Sequence, residues 1–385
     1  MPLFGTGLGH ASRMLLIADQ LKSEGYGIHF SSFNEGRAYL LMKDYSCDTV
    51  PPLDVVWTKD SGPSVSLTLR MFPKMLTLFG KHIAIEANRI AKLKPKVVFS
   101  DSRLSSIIAA RILGLPSLSL MNQIRILLPV EKNHKAVDFA EQMGAEILGF
   151  IWSLSDEILI PDLPPPYTIC ERNITRIKSV QGKIDHIGLL VPRRDIDDVR
   201  VSKVRRILEL DDSKPVFFAQ ISGPIGTKDE LIRNIIDVGR LSGESFSLVV
   251  SGGVPGGEIE PRRIGDNWFF EWCPFRDEIF SLADFAIIRG GHSTISNAIS
   301  FGKPMLVLPI ARHTEQIGNA ERVEEIGLGL HIKAEDLSKT SLLSAMNAMA
   351  STDSYRSNAS RVLGIASRYD ALKRCSEKVS IMTGR

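Results

Sequence analysis

His10 closes a run of small residues, Gly5-Thr6-Gly7-Leu8-Gly9-His10, that follows the apolar stretch Met1–Phe4 and opens a helical pattern. Glycines at such spacing let the chain turn tightly and let backbone approach a ligand. Gly7 and Gly9 are the candidates for that approach, and a neutral imidazole at the helix start has the chemistry of a general base. A tight strand–helix turn would also explain the loop. Its spacing is G-x-G-x-G, not the G-x-G-x-x-G of dinucleotide binding. Asp101 ends the apolar run Val97–Ser100 and starts the next helical pattern. A carboxylate there can cap the helix or orient a neighbouring imidazole, and the two roles are compatible. The third constellation is Arg289-Gly290-Gly291-His292-Ser293-Thr294, after the apolar run Phe285–Ile288. A helix that begins near Ser293 presents N–H groups and a positive dipole end, a site suited to phosphate. Arg289 and His292 add cationic donors, and Ser293 and Thr294 add hydroxyls.

Those residues need a frame that brings strand ends together. Short apolar runs alternate with longer amphipathic ones, the pattern of a parallel sheet covered on both faces. The first series predicts strands at Met1–Phe4, Tyr26–Ser31, Lys96–Ser100, Pro116–Leu120 and Glu157–Ile160. Helices are predicted over Ala11–Glu24, Ser102–Leu113 and Lys135–Ser153. A second series predicts strands at Val216–Ile221, Ser247–Ser251, Trp268–Phe270, Phe285–Ile288, Met305–Leu308 and Leu328–Ile332. Its helices are Asp229–Leu241, Arg276–Leu282, Ser293–Ser300, Thr314–Ile326 and Glu335–Ala350. Gly188, Pro192 and the pair Arg193-Arg194 read as a hinge before a charged helix. The expected organisation is an α/β protein of two Rossmann-like domains facing across a cleft. Residues 1–192 form the first, residues 193–352 the second, and 353–385 a helical segment, interrupted near Gly364, that packs back on the first. Only Met1–Phe4 remain for a first strand, so the fold is expected to start upstream. No signal peptide is expected before the Gly5 motif.

The chain has 385 residues, 44% of them hydrophobic and 24% charged, with a formal net charge of +3. Global disorder and a chain dominated by nucleic-acid electrostatics are excluded. The 4 cysteines, Cys47, Cys170, Cys273 and Cys375, form no C-x-x-C pair. Reduced thiols in a cytoplasmic protein are expected, with no structural zinc. Asp195-Ile196-Asp197 has the D-x-D spacing of a metal–nucleotide site, yet it follows the hinge between Arg194 and Arg200. It reads as a solvated helix start.

The stretch from Trp272-Cys273-Pro274-Phe275 through Arg289-Gly290-Gly291-His292-Ser293-Thr294-Ile295-Ser296-Asn297, Gly302-Lys303-Pro304 and Pro309 to Glu315-Gln316-Ile317-Gly318-Asn319-Ala320 resembles the donor signature of GT-B glycosyltransferases. The resemblance is to family 28 and its family 1 relatives, and to an archaeal-type set similar to the peptidoglycan UDP-N-acetylglucosamine transferase. The glycine loop, the Asp101 segment and Ile221-Ser222-Gly223-Pro224 extend it over nearly the whole chain. The resemblance implies an inverting, metal-independent transfer from a nucleotide-sugar, with UDP-sugar as co-substrate and no further cofactor. It implies His10 as base with Asp101 behind it, and Gly223 in the first donor loop. Trp272 would border the nucleobase, with the Cys273 backbone at the base edge. Gly290 to Thr294 would hold the diphosphate, with Arg289 where many relatives have histidine. Glu315 and Gln316 would contact sugar hydroxyls. Asn297 stands where the family has the glutamate that grips the ribose, and Phe275 where plant relatives often have glutamine.

The segment Ser64–Lys96 carries Arg70, Lys74, Lys81, Arg89, Lys92, Lys94 and Lys96 against the single acid Glu86, with Met71, Phe72, Met75, Leu76, Leu78 and Phe79 among the first of them. An amphipathic helix with a solvated basic face explains this. So does peripheral contact with an anionic membrane on the inner face of the cell membrane. The second reading fits a lipid-linked acceptor. No motif supports nucleic-acid binding. A UDP-sugar 2-epimerase and a non-catalytic nucleotide-sugar-binding protein remain as alternatives.

Overall fold

Parallel strands cannot be joined by tight turns, so each must be followed by a crossover long enough to return along the sheet. The computed structural model describes residues 1–6, 8–52, 65–126, 135–194, 196–223, 228–242, 245–254 and 256–384. Gly7, Pro224, Asp195 and the side chains of Arg70, Met71 and Phe72 lie outside the described residues. Contacts divide the chain into Met1–Val191 with Tyr369–Arg385, and Pro192–Arg368.

The first unit runs α1 (Gly9–Ser23), β1 (Phe30–Ser32), α2 (Asn34–Met42), β2 (Cys47–Thr49), α3 (Val65–Leu93), β3 (Val98–Asp101), α4 (Leu104–Ile112), β4 (Ser117–Leu120), α5 (Lys135–Trp152), β5 (Glu157–Ile160), α6 (Glu171–Ile174) and β6 (Ile184–His186). β1 pairs with β2, and β3 to β6 pair in sequence order, all parallel. Met1–Phe4 forms isolated bridges rather than a full strand. Pro2 bridges Ser31 and Leu3 bridges Asp101, both in parallel. Pro2 has no N–H to extend the ladder. The short segment still lies between β1 and β3, where the strand order reverses.

The second unit runs α7 (Asp198–Ile207), β7 (Val216–Gln220), α8 (Asp229–Leu241), β8 (Ser247–Ser251), β9 (Arg262–Ile264), β10 (Asn267–Phe270), α9 (Arg276–Leu282), β11 (Phe285–Ile288), α10 (His292–Ser300), β12 (Met305–Val307), α11 (Thr314–Glu325), β13 (Gly329–His331), α12 (Lys339–Ala350) and α13 (Asp353–Ala366). Its sheet has the order β13-β12-β11-β7-β8-β10-β9. Among the described strands of this sheet only β9 is antiparallel. Phe217, Leu248, Phe285, Ile287, Leu306 and Met346 are among its buried core.

Several expectations are corrected. The strand expected over Tyr26–Ser31 begins only at Phe30, because Tyr26 N–H still bonds Leu21 and closes α1. The three-residue β2, β6 and β9 and the helix α2 were not predicted; each is too short or too polar to show a period. The segment 353–385 is divided. α13 stays with the second unit, Gly364 lies within it, and the break falls at Ser367–Asp370. A last helix, α14 (Ala371–Thr383), is capped by Asp370 and buries Leu372, Cys375 and Val379 in the core shared with α1. Glu86 is buried and pairs with Arg103 at 2.5 Å.

Gly5 carries the turn into α1. A Cβ there would lie 2.1 Å from the Phe33 carbonyl oxygen. Gly5→Ala is therefore expected to destabilise the first unit by about 1–3 kcal/mol through forced backbone movement. A denaturant titration checks it, and an unchanged midpoint would show that the turn yields.

Candidate functional site

In the first unit the strand reversal places the start of α1 beside the end of β3. His10 Nδ1 lies 2.9 Å from Asp101 Oδ1. The carboxylate is fully buried and the ring is 25% exposed. Gly9 is the first residue of α1 and is exposed. Ser102, with φ of 55°, donates to Asp101 Oδ1 at 2.9 Å. A third side chain completes the group. Arg13 donates from Nε to Oδ2 at 2.6 Å and from Nη2 to Oδ1 at 2.5 Å, and from Nη1 to Asn122 Oδ1 at 3.1 Å. Burial alone would raise the Asp101 carboxyl, but the charge of Arg13, then that of His10, outweighs it. The group is held well below the usual carboxylate range. Sequence reasoning missed Arg13. Its signal was position: at i+3 from His10 it shares a helix face with the imidazole.

In the second unit the equivalent reversal lies between β7 and β11. Gly291 precedes α10 and no side chain caps that helix, which leaves the place where an anion can stand in for a cap. His292 and Arg289 are buried, and Ser293 and Thr294 are half-buried on the first turn. Burial lowers Arg289 to about 10, and its Nη1 donates to the Leu308 carbonyl at 3.4 Å. Lys228, at the start of α8, is also buried and donates to the Gly253 carbonyl at 3.0 Å. Burial lowers its pKa, with Arg289 among the charges that add to the effect. This lysine was missed too, although in sequence it follows Ile221-Ser222-Gly223 by only a few residues. Gly223 itself has φ of 118°. The close approach at Gly290 is to protein: a Cβ would lie 2.3 Å from the Gln316 carbonyl oxygen, and Asn319 donates to the Gly290 carbonyl at 3.0 Å.

A cavity of about 480 Å³ opens at the carboxyl ends of β7, β8 and β10, the position at which open α/β sheets bind ligands. Gln220, Ser251, Gly253, Trp272, Cys273 and Pro274 line it, together with Arg193, Arg194, Arg200 and Arg276. Trp272 is 41% exposed. Cys273 is buried and its thiol is pushed up to about 12 by that burial, so it offers no thiolate. Phe275, half-buried, precedes α9. Arg289 to Thr294, Asn297, Glu315 and Gln316 do not line this cavity. Gln316 Oε1 accepts from the Ile310 N–H at 3.1 Å, and Glu315 is half-buried on α11. Asn297 is engaged on both sides: Nδ2 donates to the Ser293 carbonyl and Oδ1 accepts from Arg194. Arg194 also donates to Ser300 Oγ at 2.7 Å and stacks on Phe301. Asn297 therefore ties the segment before α7 to α10. Asp197 of the D-x-D caps α7 through the Val199 N–H at 2.8 Å.

Comparison with known proteins follows the same lines. The glycosyltransferase family 28 C-terminal domain matches residues 258–375. An uncharacterized glycosyltransferase of Methanosarcina acetivorans is 25% identical over 96% of this chain and 94% of its own length. A UDP-N-acetylglucosamine–N-acetylmuramyl-(pentapeptide) pyrophosphoryl-undecaprenol N-acetylglucosamine transferase of Geobacillus kaustophilus is 28% identical over 46% of this chain and 50% of its own. The calicheamicin glycosyltransferase CalG4 superposes with a TM-score of 0.67 at 15% identity, covering 100% of this chain and 98% of that one. With the parallel strand order of each unit, these findings show the GT-B fold and a glycosyltransferase whose residues 258–375 match the family 28 C-terminal domain.

Proposed function

We propose that this glycosyltransferase moves a sugar from a UDP-sugar to an acceptor hydroxyl by inverting displacement, without a metal or further cofactor. The observation that carries the reading is the His10–Asp101 pair, with a buried carboxylate on Nδ1 and a partly exposed ring. With Nδ1–H donated to Asp101, Nε2 keeps its lone pair. Nε2 takes the acceptor proton as the acceptor oxygen bonds to the anomeric carbon. The bond from that carbon to the diphosphate breaks, and the diphosphate leaves with the electron pair. The uncapped start of α10 and the cationic Arg289 and Lys228 favour the leaving charge. Asp197 is used as a helix cap, so the D-x-D adds no support for a metal. The choice of UDP, and of an N-acetylglucosamine donor, rests on the Geobacillus relative's name and on the donor signature.

A lipid-linked acceptor is the finer reading for the first unit. That relative's name contains a pyrophosphoryl-undecaprenol acceptor. On α5, Phe139, Met143, Ile147 and Phe150 are all exposed, at helical spacing along one face. Glu146 accepts from the Lys178 and Ser179 N–H groups, and Gln142 donates to the Arg176 carbonyl. Gln142 and Glu146 are thus turned to a flanking loop whose Arg176 and Lys178 are exposed. An exposed apolar stripe with Arg176 and Lys178 exposed on the neighbouring loop, and Asp138 exposed on the helix itself, suits a lipid surface. On α3, Lys74, Leu76 and Lys81 are exposed while Met75 and Phe79 are half-buried, so α5 rather than Met75 or Phe79 is the leading insertion face. Among the described residues no helix is long and apolar enough to cross a membrane.

His10→Ala is expected to lower transfer by roughly 10²–10⁴-fold while UDP-sugar affinity, read by thermal shift, is unchanged. Undiminished transfer would remove His10 from the mechanism. Incubation with a UDP-sugar alone is expected to give slow hydrolysis; epimerised product would favour the 2-epimerase, and binding without any turnover a non-catalytic protein. Vesicles of anionic lipid should sediment the protein at low salt and release it at high salt, because screening shortens the Debye length to about 3 Å at 1 M. Phe139→Ser with Phe150→Ser should abolish that binding. Equal binding by this variant would reject the α5 surface.

A further inference from the structure

A carboxylate behind an imidazole has two effects. It orients the ring, and it makes the ring easier to protonate. The second effect works against a residue that must be neutral to accept a proton. In this chain the carboxylate is not alone with the ring. Arg13 grips both oxygens of Asp101, and Asn122 fixes the far side of the guanidinium. The same Nη2 that bonds Oδ1 lies 3.1 Å from His10 Nδ1. One ring nitrogen therefore meets an acceptor-only oxygen and a donor-only nitrogen at nearly equal distances.

We propose that Arg13 is a positioning residue for His10: it locks the Asp101 carboxylate in the orientation that receives Nδ1–H, cancels most of its charge, and sets a cation against the ring, so that His10 stays neutral at lower pH than Asp101 alone would allow. This rests on His10 being the base. The charged groups in contact with the ring are Asp101 from the end of β3 and Arg13 from its own helix. Phe4, whose ring centroid lies 5.7 Å away, and Ser102, on Oδ1, are neutral. Protonating Nε2 would create an imidazolium within 3.1 Å of a guanidinium that is almost fully shielded from water. Repulsion at such range is poorly screened. The depressed Asp101 carboxyl, with Arg13 as the largest cause opposing burial, agrees with a carboxylate that is ionised and already compensated.

The test compares wild type, Arg13→Gln and Arg13→Lys by two readouts: the pH titration of the His10 ring by NMR, assigned against His10→Ala, and the acid limb of kcat/KM. In Arg13→Gln the ring should protonate at a pH about 1 unit or more higher, and the acid limb should move with it. Arg13→Lys keeps the charge but not the Nη2 contact, and should shift the same way by less than half as much. If the lost pair prevents Arg13→Gln from folding, Arg13→Lys decides alone. A folded variant whose ring protonates at the wild-type pH, or lower, overturns the proposal, because a packing role would change stability without moving the titration. A ring titration that moves while the acid limb stays fixed supports the role of Arg13 and overturns His10 as the base.

Discussion

The carboxylate of Asp101 is tolerated in the interior only because charge-assisted donors meet both of its oxygens. Leaving an ion of that size unpaired inside a protein costs several kcal/mol. Arg13 meets that requirement and in doing so fixes the first turn of α1 over the end of β3. The backbone of Asp101 takes part in the same junction. Its N–H bonds the Pro2 carbonyl and its carbonyl accepts from Phe4. The chain must then turn within a few residues from Phe4 into α1, against Phe33, and only a residue without a Cβ fits at Gly5. His10 is delivered to the carboxylate as a consequence of this packing, one turn ahead of Arg13 on the same face.

The second unit solves a related problem with the opposite charge. Its strand reversal gathers the cations Arg289 and Lys228 and the uncapped start of α10. Gly290 lets α11 approach until backbone nearly touches backbone, and Asn319 holds the contact. The glycines of this loop are thus explained first by helix packing. Asn297 follows the same logic. Its side chain is spent on Arg194 and Ser293, so Arg194, ahead of α7, is coupled to α10.

The sequence showed the strands whose apolar runs are long and uninterrupted, such as Glu157–Ile160 and Phe285–Ile288, and the helices with a clear amphipathic period, such as Asp229–Leu241. Those elements bury one or two faces and so write their period into the residues. The three-residue strands do not. β9 holds Arg262 and Arg263 on an exposed edge, and β6 is only partly buried. Among the candidate residues of each unit, His10, Asp101 and the Arg289–Thr294 turn were legible because each lies where a strand end meets a glycine or a helix start. Arg13 and Lys228 were not, because a basic residue near a helix start looks like a solvated one until the fold buries it. The α5 face was hidden for a similar reason. An apolar stripe at helical spacing reads as core, and only the packing of Glu146 and Gln142 against the 176–179 loop turns it outward.

The central claim is a single displacement in which a neutral base on the acceptor side deprotonates the attacking oxygen. A single displacement inverts the anomeric configuration. The anomeric configuration of the first-formed product, read by proton NMR from the coupling constant of the anomeric proton with an α-linked UDP-sugar, tests it most directly. The account predicts a β-linked product from an α-linked donor. An α-linked product would contradict it, because retention requires a different path at the anomeric carbon, in which His10 could not act alone as the base.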